Sequence, residues 1–112
     1  MSYHIHITKT AEKDLNSVVD YIDNVLLNPQ ASDELLIETE EKISNLSDYP
    51  EKYQLVEDPV LKTWGIRFVV VKNYLAFYTI SEETKTVHII RFLYGKRNWP
   101  VILRQSFPSI KY

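Results

Sequence analysis

The chain has 112 residues, no cysteine, and 13 Lys and Arg against 15 Asp and Glu, for a formal charge of −2. That length makes one domain, residues 1–112, able to bury roughly 65% of its unfolded surface without staples. The lack of Cys excludes a disulfide framework, a thiolate zinc site and a cysteine nucleophile, and 45% apolar with 25% charged residues excludes global disorder.

No apolar run approaches a membrane span and no signal-peptide core opens the sequence. A cytoplasmic protein with no membrane partner is expected. The near-zero charge conceals a segregation. Residues 1–59 hold 4 basic and 13 acidic side chains, whereas residues 60–112 hold 9 basic and 2 acidic ones. Either this field steers an oriented partner, or the two halves neutralise each other across the fold.

Tyr3 to Thr8 alternates polar with apolar, aromatic or β-branched residues and predicts a short strand. Thr8 or Thr10 can cap the helix that follows, because a hydroxyl accepts a bond from a free first-turn N–H. Ala11, Leu15, Val18, Val19, Ile22, Val25 and Leu26 recur at helical spacing. Asn28-Pro29 reads as a cap with Pro at the first helical position. Ala31, Leu35, Leu36, Ile43 and Leu46 form the apolar stripe of the second helix, which ends at Ser47-Asp48-Tyr49-Pro50. Its other face is acidic, with Asp33, Glu34, Glu38, Glu40 and Glu41, and reads as solvated. So short a link makes an antiparallel helix hairpin.

Glu51 to Thr63 is a polar connector. Trp64 to Val71, Tyr74 to Ile80 and Thr86 to Leu93 then read as three strands of an antiparallel meander, with turns at Lys72-Asn73 and Ser81 to Lys85. Tyr94 to Arg97 leaves the sheet, and Asn98-Trp99-Pro100 starts a terminal helix through about Gln105. The expected fold class is α+β: a two-layer β-αα-βββ arrangement with the helix hairpin packed on an antiparallel sheet and a short C-terminal helix.

Two glycines cannot build a phosphate-cradling loop, and no serine sits in a nucleophile elbow. His4 and His6 lie two apart on a strand and share a face. That geometry is open to a metal, but no other ligand accompanies them at ligand spacing. The expectation is a polar strand face, no metal and no cofactor. The informative stretch is Val87 to Trp99, which interleaves Arg91, Lys96 and Arg97 with Tyr94 and Trp99, while Arg67 lies on the neighbouring strand. Such a cluster suits nucleic-acid backbones, an acidic peptide, or charge stabilisation at phosphorus. Alternatively, Phe92, Leu93, Tyr94 and Trp99 pack under the terminal helix while the cationic tips reach water.

The ordered set Tyr3, Thr8, Ala11, Asp14-Leu15, Tyr21-Ile22, Asn28-Pro29, Ala31, Leu46, Pro50, Gly65-Ile66-Arg67, Tyr74, Phe77-Tyr78, Ile89-Ile90-Arg91, Tyr94 and Arg97 resembles the RelE/ParE superfamily. These are toxins of type II toxin–antitoxin modules. The resemblance covers almost the whole chain and implies a cognate antitoxin as partner, with contact to DNA only indirectly through it. It also implies one of two targets. RelE-like and YoeB-like members cut messenger RNA on the ribosome; ParE-like members bind DNA gyrase. The nuclease branch carries Arg directly after the equivalent of Tyr74, where this chain has Leu75. Its catalytic Tyr falls on Leu103, and the YoeB-like terminal His-Tyr pair falls on Gly95 and Lys96. Gly95-Lys96-Arg97 does match RelE-like proteins, whereas Ile89 to Leu93 with Arg67 looks more like the ParE branch.

The expectation is therefore a growth-inhibiting toxin that binds gyrase and is not an enzyme. The alternatives are a ribosome-dependent mRNA endonuclease or an inactive binding-module homologue. Arg67, Arg91, Tyr94, Lys96, Arg97 and Trp99 are the candidate residues for binding target or antitoxin. In a nuclease, Arg67, Arg91, Arg97 and Tyr94 would be the catalytic candidates.

Overall fold

The computed structural model describes residues 2–106. Its elements are β1 (His4–Ile7), α1 (Lys9–Asn24), α2 (Pro29–Ser44), α3 (Pro59–Thr63), β2 (Arg67–Val71), β3 (Tyr74–Ser81), β4 (Thr86–Tyr94) and α4 (Trp99–Ser106), with short 3-10 turns at Asn45–Ser47 and Pro50–Lys52. The four strands form one sheet in the order β1-β4-β3-β2. Among the described residues, no helix is long and apolar enough to cross a membrane.

The helix hairpin follows its local signals. Thr8 caps α1, accepting from the Ala11 N–H, and Asn28 caps α2, accepting from the Ala31 N–H. The Thr8 hydroxyl also donates to the Ile89 carbonyl at 2.9 Å, so the same residue ends β1, starts α1 and ties both to β4. The α1 stripe stops sooner than the spacing predicts: Val25, Leu26 and Leu27 lie beyond the helix and are exposed.

The sheet departs from expectation in one respect. β2, β3 and β4 form the antiparallel meander, but β1 pairs parallel to β4, with His6 opposite His88, so the sheet is mixed. A local pattern signals a strand; it carries no information on which distant edge the strand joins. The β3–β4 ladder also shifts register. Phe77 pairs with Arg91 but Tyr78 pairs with Ile89, which leaves Ile90 as the extra residue of a bulge.

Alternation along the strands sends apolar side chains to both faces. Tyr78, Val87, Ile89, Ala76 and Phe92 pack under α1 and α2. Phe77, Ile90 and Leu93 pack with Leu61 of α3 and Leu103 of α4 on the other face.

The connector is more ordered than a polar loop. Asp58 caps α3, accepting from the N–H groups of Val60 and Leu61. Gly65, at φ 75°, ends it in the left-handed region that glycine adopts without strain. The expected strand from Trp64 therefore starts only at Arg67.

The Leu61 N–H bond, helped by Arg104 at 2.6 Å, lowers the Asp58 pKa below its ordinary 3.8. A lowered folded value stabilises the protein above 3.8, and that contribution is lost as pH falls through the folded value. The stability difference between the chain and Asp58→Ala should therefore shrink as pH drops below 3.8. Parallel denaturation curves at pH 5 and pH 3 measure it.

Candidate functional site: an aromatic cleft beside a basic turn

The six candidate residues do not converge. Arg67 sits at the start of β2, opposite Tyr78, and its Nη1 donates to the carbonyls of Tyr53 at 2.6 Å and Glu51 at 3.3 Å. Tyr78, fully buried, donates its hydroxyl to the Pro50 carbonyl at 2.6 Å. Together they clamp residues 50–53 to the sheet.

Arg91 is held on three sides. Its Nε donates to Asp14 Oδ2 at 2.7 Å, its Nη2 to Oδ1 at 2.9 Å, and its Nη1 to the Ser106 hydroxyl. Asp14 Oδ2 also accepts the Phe92 N–H at 3.0 Å. Both side chains are only 14% exposed. β1 ends at Ile7, so beyond it the edge of β4 is covered by α1, and Asp14 takes the place of a strand partner. Trp99 is half-buried against Phe77, with ring centroids 5.2 Å apart.

Tyr94, Lys96 and Arg97 remain, all exposed at the turn between β4 and α4. The turn is tied by Arg97 N–H to the Tyr94 carbonyl and by Gly95 N–H to the Asn73 carbonyl at 2.8 Å. A Cβ at Gly95 would stand 3.3 Å from that carbonyl oxygen, so the close approach favours glycine. Beside this turn opens a cleft of about 790 Å³, lined by Tyr21, Leu26, Asn73, Tyr74, Tyr94 and Arg97, among others. Tyr74 stacks on Phe92 at 5.3 Å and meets Tyr94 edge-on at 5.7 Å. Burial, followed by the neighbouring Tyr94 and Tyr21 phenols, pushes the Tyr74 pKa up. It stays a hydroxyl donor at neutral pH rather than a base.

The sequence reading included Tyr94 and Arg97 but missed Tyr21, Leu26, Asn73 and Tyr74 as lining residues. One signal for them existed. Tyr21 near the end of α1, with Val25, Leu26 and Leu27 just beyond it, is more apolar surface than one helix stripe can bury.

The charge segregation resolves in part into internal pairs. Lys72 meets Glu38, Arg91 meets Asp14 and Arg104 meets Asp58 across the two halves, while Lys85 meets Glu82 within the second. Among the described residues after position 59, the lysines and arginines outside any ion pair are Lys62, Arg67, Lys96 and Arg97. With Arg67 spent on carbonyls, the free positive charge next to the cleft is Lys96 and Arg97.

A helix hairpin on a four-stranded mixed sheet, closed by a short C-terminal helix, is the fold of the RelE/ParE-like toxins. The solved structures agree on that fold. A protein of the chromosomal ParDE system of P. aeruginosa superposes with a TM-score of 0.68 at 18% identity, covering 85% of this chain and 98% of its own. The toxin–antitoxin complex RelBE2 of Mycobacterium tuberculosis gives 0.59 at 22% identity, over 84% and 99%. A mutant of the E. coli toxin RelE in its free state gives 0.61 at 14% identity, over 99% and 100%. No curated relative matches the sequence. The family model described as the ParE toxin of the type II toxin–antitoxin system parDE matches residues 5–99. The chain belongs to the ParE toxin family.

Proposed function

We propose that this toxin arrests growth in the cytoplasm by binding DNA gyrase, and that a cognate antitoxin silences it by covering the Tyr94–Arg97 turn and the adjoining cleft. The observation that carries this reading is the dispersal of the cations. Cleaving RNA needs charged groups gathered around one phosphate. Here Arg67 is engaged by backbone carbonyls and Arg91 by Asp14. Leu75, where the nuclease branch has arginine, packs against the core shared by Phe77 and Leu103. What stays open is a binding surface: tyrosine rings, an apolar floor and two free cations. It suits an acidic segment that carries an aromatic or large aliphatic anchor.

The exposed Gly95-Lys96-Arg97 turn favours a second reading, a ribosome-dependent mRNA endonuclease. Inducing the chain separates the two. Impaired supercoiling with a DNA-damage response supports gyrase, while cleavage mapped within translated codons and intact supercoiling supports the nuclease. Growth without any defect would make the chain an inactive homologue.

Joint charge reversal, Lys96→Glu with Arg97→Glu, should leave folding within about 0.5 kcal/mol, since both residues are exposed. It should weaken antitoxin binding about tenfold or more, measured calorimetrically. Undiminished affinity in the folded double variant would remove the turn from the interface.

A further inference from the structure

The loop between α1 and α2 keeps residues that neither its conformation nor its exposure favours. Val25, Leu26 and Leu27 are 62%, 55% and 76% exposed, and Tyr21, in the last turn of α1, is 52% exposed. Leu27 has φ 53°, the left-handed region that Gly or Asn adopts with less strain. A leucine that is both strained and exposed gains little from its own fold. An aliphatic tip of this kind marks a contact surface.

The tip is one lip of the aromatic cleft. Tyr21 and Leu26 line the cleft on that side, and Tyr94 and Arg97 line it on the other. The two lips carry opposite charge. Exposed Asp20, near the end of α1, and exposed Asp33, near the start of α2, flank the tip. Neither pairs with a cation among the described residues, and at the far lip Lys96 and Arg97 pair with no described acid. Protruding apolar surface therefore stands beside an open apolar cleft, and free acids stand across from free bases. A twofold axis running along the cleft sets each lip against the unlike lip of a second copy. That is the self-complementarity an isologous contact requires.

We propose that two copies of this chain pair through this surface, the Val25–Leu27 tip of each entering the cleft of the other and the acidic lip of each facing the basic lip of the other. The tip is small against the roughly 20–30 residues a side of a standard interface, so the dimer is weak, with a Kd on the order of 10–100 µM. The second copy occupies the cleft assigned above to the antitoxin, so the two exclude one another. The pairing itself does not depend on that assignment.

The test is sedimentation equilibrium of the full chain alone, from about 10 to 300 µM, where a reversible monomer–dimer equilibrium is expected. Leu27→Asn should keep or raise the melting temperature, because Asn tolerates the left-handed conformation, yet weaken association more than about tenfold. Asp20→Lys with Asp33→Lys should also weaken it, and adding Lys96→Asp with Arg97→Asp should restore it, since the swap returns unlike lips to contact. All five positions are exposed, and if the fourfold variant unfolds, Leu27→Asn decides alone. The proposal is overturned by a monomer up to about 300 µM, by open-ended association, by a dimer indifferent to Leu27→Asn, or by a folded charge swap that restores nothing. No antitoxin is present, so failure of the proposed antitoxin site leaves these results unchanged.

Discussion

Replacing Asp14 with alanine is expected to destabilise the protein by about 3 kcal/mol, and more if the gap admits no water. One carboxylate accepts from Arg91 Nε, Arg91 Nη2 and the Phe92 N–H. Its loss leaves a guanidinium, only 14% exposed, without its counter-charge, and a strand N–H without an acceptor. Leaving a buried group unpaired costs far more than the intact pair contributes. Arg91→Ala should cost a similar amount, and the two changes should not add. A double-mutant cycle in urea is expected to give a coupling of about 1.5–3 kcal/mol. If Arg91→Ala unfolds at the wild-type urea concentration, the latch between α1, β4 and α4 contributes nothing.

The functional consequence is direct. Loss of toxicity on substitution at Arg91 is therefore expected to report on folding, whereas variants at the exposed Tyr94, Lys96 and Arg97 report on the binding surface.

Phe77→Ala should cost about 3–5 kcal/mol, the usual range for truncating a fully buried aromatic ring. The ring lies in the core formed with Leu61, Ile90, Leu93 and Leu103, and it meets Trp99 at 5.2 Å and Phe68 at 6.4 Å. A cavity there removes the floor on which α4 sits. Thermal denaturation measures the loss, and Trp99 lies close enough to report it by a red shift in emission. Because α4 starts at Trp99, directly after the basic turn, the same variant should weaken antitoxin binding without touching a binding residue. Phe77→Leu, which keeps an apolar side chain there, should cost less. A cost below about 1 kcal/mol for the alanine variant would mean that α4 is not anchored by this core.

Much of the fold was legible because its signals are local. Asn28-Pro29 marks the turn of the hairpin through a side-chain cap and a missing N–H, and both act within one helical turn. The alternation in Tyr74 to Ile80 and the turn at Lys72-Asn73 place the meander. The helix α3 was hidden in a polar connector. Asp58-Pro59 is a valid start signal, but five residues are too few for a periodicity to show.

The site was legible only in part. Tyr94, Lys96 and Arg97 lie where the chain leaves β4, and any such turn is exposed. Arg67 and Arg91 share the chemistry of those residues and are engaged inside the fold. Asp14 and Arg91 are 77 residues apart, and an arginine in sequence looks the same whether its partner is a target or its own first helix.

Composition, periodicity and capping alone thus determined the elements, their order and the α+β class, because each depends on residues a few positions apart. The same holds for the segregation of charge along the chain. Tertiary structure decided what the charge does. Folding lays the basic strands and α4 against the acidic hairpin and connector, and three cations find carboxylates there within 4 Å. An ion pair depends on distance in space, which local sequence does not encode. What began as a net charge of −2 divided into two opposed halves ends as two free cations, Lys96 and Arg97, at the mouth of an aromatic cleft.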